Sequence, residues 1–149
     1  MILIVIVSFF IGIVLCKFLF NFISERKKDN IELASQPLEE KFKVIVRLLN
    51  ETAFQGEGKI VDKVPKFFNL YQEGSNQLVT FLYGTGHLTL TWRYKYFQNE
   101  VVHKRQFNNV RNINISDQEK IANMMINDMT IVVEKHKINV SISLIQNNK

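Results

Sequence analysis

An almost unbroken apolar run opens this chain, from Ile2 through Leu15, and positive charge begins only after it, at Lys17, Arg26, Lys27 and Lys28. About 20 apolar residues are needed to cross roughly 30 Å of hydrocarbon as a helix. Ile2 to Cys16 alone is too short for that. Phe18, Leu19, Phe20, Phe22 and Ile23 supply the missing length if Lys17 snorkels, its methylenes in the acyl region and its ammonium at the headgroups.

A cleaved secretory signal would need positive charge before its apolar core and small residues just after it. Neither is present: no Lys or Arg precedes the run, and Lys-Phe-Leu-Phe-Asn-Phe-Ile follows it. Val14 and Leu15 are too bulky for a lipoprotein site at Cys16. The expectation is therefore a retained, single-pass signal-anchor over residues 1–24. Its anchoring side chains are Ile2, Phe9, Phe10, Leu15, Lys17, Phe18 and Phe22. Residues 25–36 follow as a basic juxtamembrane linker in which Arg26, Lys27 and Lys28 meet lipid headgroups. The charge asymmetry favours a cytoplasmic domain, with an extracytoplasmic one as the alternative. The lone Cys16 rules out an intramolecular disulfide.

Residues 37–149 have the length of one modest domain with a single core. Of the formal net charge of +5, four bases against two acids over Lys17–Asp29 account for +2. The remaining +3 is too little to mark a nucleic-acid binder on charge alone. Two prolines and no repeat or Ser/Gly tract leave no sign of a second domain.

Pro37 suits the start of a helix, Glu39 and Glu40 suit its dipole, and Leu38, Phe42, Ile45, Leu49 and Ala53 recur at helical spacing. Gln55-Gly56-Glu57-Gly58 ends it. Four strands follow: Phe67–Gln72, Gln77–Tyr83, Leu88–Tyr96 and Val101–Phe107. Turns at Glu73–Asn76, Gly84–Gly86 and Gln98–Asn99 separate them. Ser116-Asp117-Gln118-Glu119 reads as a capping box opening a helix to about His136. Alternation of Ile138, Val140, Ile142 and Leu144 with Asn and Ser predicts an extra C-terminal strand, with a hairpin within residues 129–145 as the other reading. The expected class is α+β, an antiparallel β-meander of about four strands packed against two helices.

No chemical signature stands out. His87, His103 and His136 lack metal-site spacing, and no second cysteine assists them. Gly84-Thr85-Gly86 reads as a hairpin turn and not a phosphate loop. No catalytic residue, metal ligand or cofactor is assigned. Alternation places Trp92, Tyr94 and Tyr96 on one face with His103, Arg105 and Phe107. That aromatic and basic face is the candidate partner-binding patch, namely Trp92, Tyr94, Tyr96, His103 and Arg105; the plainer reading is a hairpin stabilised from within. The function expected is a non-catalytic interaction or adaptor module at a membrane surface, with the bilayer, another membrane protein or anionic headgroups as partners. The alternatives are a ligand carrier or enzyme with a pocket between sheet and helices, lined by Met124, Met125 and Met129, or nucleic-acid binding by the hairpin.

Overall fold

The computed structural model describes residues 2–147, with side chains described over residues 11–146. A long helix α1 (Ile2–Ser35) leads into a short α2 (Leu38–Lys41) and α3 (Lys43–Phe54). Five strands follow, β1 (Lys59–Val64), β2 (Phe67–Tyr71), β3 (Gln77–Gly84), β4 (His87–Tyr96) and β5 (Asn99–Phe107), and then α4 (Ile115–Asn147). The strands pair antiparallel in sequence order β1-β2-β3-β4-β5, a simple meander.

Alternation decides the two faces of the sheet. Phe68, Phe81 and Leu90 stand opposite one another across β2, β3 and β4, as do Leu70, Val79 and Trp92, and all six are buried. Phe68 and Phe81 stack with centroids 4.5 Å apart. Their neighbours Thr80, Thr91 and Lys104 form a row on the other face, which the helices leave open. Each Phe or Leu buried this way contributes about 1.5–3 kcal/mol. The layer above is made by Phe42, Ile45, Leu49 and Phe54 from the first helical unit and Ile121, Ala122, Met125 and Met129 from α4.

The helix expected over Pro37–Phe54 is interrupted at Phe42, whose backbone (φ −109°, ψ 29°) leaves the helical region. Gln118 of α4 repairs the break. Its buried amide accepts from the Val44 N–H (3.2 Å) and donates to the Lys41 carbonyl (3.0 Å). The helix ends where the sequence indicated, at a left-handed Gln55. Gly58 is needed just beyond, because a Cβ there would lie 2.4 Å from Asn50 Oδ1, which accepts the Gly58 N–H.

Several expectations are corrected. The meander has five strands and not about four: Lys59–Val64, to which the sequence pattern assigns no strand, is an edge strand whose lysines and whose bulge between Val61 and Val64 protect it from pairing with other chains. The C-terminal strand is absent, since α4 continues to Asn147. A period of two laid on a helix scatters its residues around the barrel, so Val140 is buried while Ile138, Ile142 and Leu144 are exposed. The cap of α4 is Asn114, not Ser116: Asn114 Oδ1 accepts the Asp117 N–H at 2.8 Å. Residues 25–35 of the presumed linker are the second half of α1.

The membrane reading is also corrected. Among the described residues no helix is long and apolar enough to cross a membrane, which overturns the single-pass signal-anchor and the membrane localisation. The apolar stretch with described side chains runs from Ile11 to Ile23. Glu25, Arg26, Lys27, Lys28 and Asp29 follow it within the same helix, and charges so closely spaced close the apolar stretch. Leu15, Lys17, Phe18 and Phe22 sit exposed on it; the side chains of Ile2, Phe9 and Phe10 lie outside the described residues.

Candidate functional site

The β4–β5 hairpin closes through Phe97 and Gln98, both at positive φ (45° and 65°), the geometry a two-residue reversal requires. Its register sets Trp92 opposite His103, Leu90 opposite Arg105 and Tyr96 opposite Asn99. The five residues singled out by alternation therefore do share one face. Because α4 runs past His136, that face lies under a helix. Trp92 and Tyr94 are buried, and Tyr96, His103 and Arg105 are half-buried. Asp128 of α4 accepts from Arg105 Nη1 (2.5 Å) and sits 3.3 Å from His103 Nε2. His136 meets Tyr94 edge-on at 6.5 Å and donates to the Asn99 carbonyl. Lys137 Nζ lies 5.6 Å from the Tyr94 ring centre and 5.9 Å from that of Tyr96. The patch is internally partnered to a large degree. Arg93, on the opposite face, is paired with Glu100 at 2.8 Å, and the bond lowers the Glu100 pKa below the usual carboxylate value.

Where α3 and α4 diverge over the sheet, an open groove of about 320 Å³ remains, walled by Thr52, Gln77, Trp92, Tyr94, Met129 and Val133. Gln77 spends both ends of its amide locally, donating to the Ala53 carbonyl and accepting the Trp92 indole N–H, each at 2.9 Å. Of the three methionines considered for a cavity lining, Met125 and Met129 are core and Met124 is partly exposed, its sulfur 3.6 Å from Arg105 Nη2.

A third constellation had no place in the sequence reading. Glu25, Asp29 and Glu32 recur at i, i+4 and i+7 on α1, one face of a helix. Asp29 is fully buried. Its carboxylate accepts from Thr85 N–H (2.5 Å), Gly86 N–H (3.3 Å) and Arg111 Nη2 (2.7 Å). Thr85 and Gly86 hold positive φ (51° and 73°), so their consecutive N–H groups form a nest for the anion. Arg111 also donates to Glu25 (2.8 Å) and Glu32 (3.1 Å). Lys41, itself buried, bonds Glu32 and the Arg111 carbonyl. Tyr83 Oη donates to Glu32 at 2.8 Å. Burial first, and then that bond, push the Tyr83 phenol well above its ordinary pKa. Burial opposes the Arg111 charge, but the bonds to Asp29 and Glu25 outweigh it and raise its pKa. Every charge in this cluster is matched, so it works as a clamp fixing α1 to the β3–β4 turn. The 25, 29, 32 spacing was its only trace in the sequence.

Of the residues assigned to headgroups, Arg26 lies over the Phe22 ring at 4.6 Å, Lys28 pairs with Glu25 at 2.7 Å, and Lys27 is exposed. Among the described residues no group of three or more His, Cys, Asp and Glu could hold a metal ion. Comparison with family models, curated proteins and solved structures finds no match to this chain.

Proposed function

We propose that this chain is a non-catalytic interaction module that offers the Ile11–Ile23 half of α1 to an apolar surface of a partner protein. One observation carries the reading: every residue from Ile11 to Ile23 is exposed, on all sides of the helix. An apolar patch of that extent on a folded domain marks a surface meant to be covered, and a helix apolar all round belongs in an interior. The clamp at Glu25, Asp29 and Glu32 gives the rod a fixed direction, which lowers the ordering cost of association.

Photo-crosslinking in the intact cell tests it. A photoreactive residue at Phe18 of the full chain should yield a discrete protein adduct. The triple variant Val14→Asn, Phe20→Gln, Ile23→Gln in the same background should lose that adduct while its thermal midpoint holds. Two results would overturn the proposal: no discrete protein adduct, or co-flotation of the chain with protein-free phospholipid vesicles.

The groove between α3 and α4 supports a second reading, a carrier of a small apolar ligand. Trp92 is the single tryptophan of the chain and forms part of the groove wall. Its fluorescence should shift on titration with a medium-chain fatty acid, and a flat response ends this reading.

A further inference from the structure

The sheet ends in two edges, β1 and β5, and they differ. β1 is interrupted by a bulge; β5 pairs with β4 without a break from Phe107 to Asn99 and contains no proline. Phe97 and Gln98 make a two-residue reversal, so Tyr96 and Asn99 close the hairpin by bonding each other. Backbone bonds alternate in direction along an antiparallel strand. Asn99, Val101, His103 and Arg105 therefore spend theirs on β4, and the N–H and C=O groups of Glu100, Val102 and Lys104 point out of the sheet. Among the described residues no backbone bond outside the regular elements involves those three. Such a row of free groups on an unbroken edge strand is a template for another strand.

Side chains say which strand fits. Glu100, Val102 and Lys104 are all exposed on the face that the helices leave open. A second β5 running antiparallel, about a two-fold axis through Val102, sets Val102 against Val102. It also sets Glu100 against the other copy's Lys104, twice. Residues directly opposite in an antiparallel pair share a face, so these partners meet side by side. The ion pairs of β5 within the chain use Glu100, His103 and Arg105, so Lys104 has none among the described residues. Arg93 bonds Oε2 of Glu100, and Oε1 is left to accept from the copy's Lys104. Sliding one strand by two residues sets Val102 against a charge; sliding it by four sets Glu100 against Glu100, or Lys104 against Lys104. A slip of one residue would set open-face side chains against core-face ones.

The covered face agrees with the same axis. There α4 crosses β5, with Asp128 at Arg105 and His103, and His136 at Asn99. Ile131 lies between those two anchors and is 66% exposed. It is one turn from Asp128, on the flank of α4 that overlooks the free edge. From these features we infer that the β5 edge is a self-association surface, which joins two copies of this chain into one continuous sheet and brings their Ile131 side chains toward each other. A two-fold interface demands self-complementarity of this kind. The inference goes beyond the role proposed for α1 and does not rest on it.

Amide exchange and cysteine crosslinking of the full chain, with Cys16→Ser to remove the native thiol, are the test. Protection of the Glu100, Val102 and Lys104 amides should rise with protein concentration, while Val101 and His103, already bonded to β4, change little. Val102→Cys chains should form a disulfide-linked dimer at least about tenfold more abundantly than Lys104→Cys chains, whose thiols this register holds roughly 13 Å apart along the strands. Sedimentation should show Val102→Lys and Lys104→Glu each weakening association about tenfold, because each sets like charges opposite one another. Equal crosslinking of the two cysteine variants would overturn the inference. So would amides at 100, 102 and 104 that stay unprotected at every concentration, or association indifferent to Val102→Lys. The triple α1 variant should dimerise unchanged, which separates failure here from failure of the α1 proposal.

Discussion

From Ile11 to Ile23, α1 is almost wholly apolar and every residue is exposed; from Ser24 to Ser35 the same helix is rich in charge, yet Asp29 and Leu33 are buried. Hydrophobicity alone would have assigned the two halves the other way round. The difference teaches that docking within a chain follows the availability of a matched partner. The charged half finds Arg111, Lys41, Tyr83 and the two N–H groups of the Thr85–Gly86 turn. The apolar half finds no surface of this domain left to cover it, because the sheet face it could have used already lies under α3 and α4.

Substitutions on the two sides of Ser24 break or sharpen this contrast. The largest effect belongs to Arg111→Met, which leaves Glu25, Asp29 and Glu32 without their common counter-charge. Removing one partner of a largely buried ion pair costs about 3 kcal/mol, read as a lower denaturation midpoint and faster amide exchange over residues 24–35. Asp29→Asn keeps the shape but gives up the anion in the nest, at a cost of about 2 kcal/mol. Tyr83→Phe removes one bond to Glu32 and should cost about 1 kcal/mol. That variant should also flatten the alkaline limb of stability. A phenol whose pKa is raised on folding stabilises below its unfolded value, near 10, and loses that contribution as pH rises through the folded value.

Acid acts in the opposite sense and more weakly. The bond to Lys28, then those to Arg111, hold Glu25 below the usual carboxylate pKa. Its contribution is present above the unfolded value of about 4.3 and fades as pH falls through the folded one. Exchange protection of residues 24–35 should fall there before that of the sheet. The smallest effect is expected on the other side of Ser24: Phe20→Gln should change stability by less than about 0.5 kcal/mol. A loss as large as that of Arg111→Met would mean that the apolar half is packed on the domain and would erase the contrast.

The β2 to β5 meander was legible because its residues alternate strictly and its turns carry glycine or short polar clusters, Gly74 and Thr85-Gly86 among them. The edge strand β1 was not. With Lys59, Asp62 and Lys63 among its six residues, it owes its form to pairing with β2 and has little apolar pattern of its own. The aromatic face of the β4–β5 hairpin was legible as a face; its cover was not, since Ile138 to Leu144 alternate like a strand. The competing helical spacing of Met129, Val133, His136 and Val140 was present in the same residues, and docking of His136 and Lys137 on Tyr94 favours it.

By itself the sequence determined which side of each strand is apolar, where the first helical unit stops, and that the chain begins with an apolar rod, because these depend on neighbours a few residues apart. Only the tertiary structure decided that Glu25, Asp29 and Glu32 converge on Arg111, that Gln118 mends the break at Phe42, and that α4 keeps its helical form to Asn147. Each of those joins residues distant in the chain, and the free energy of such contacts exists only once the fold has brought them within bonding reach.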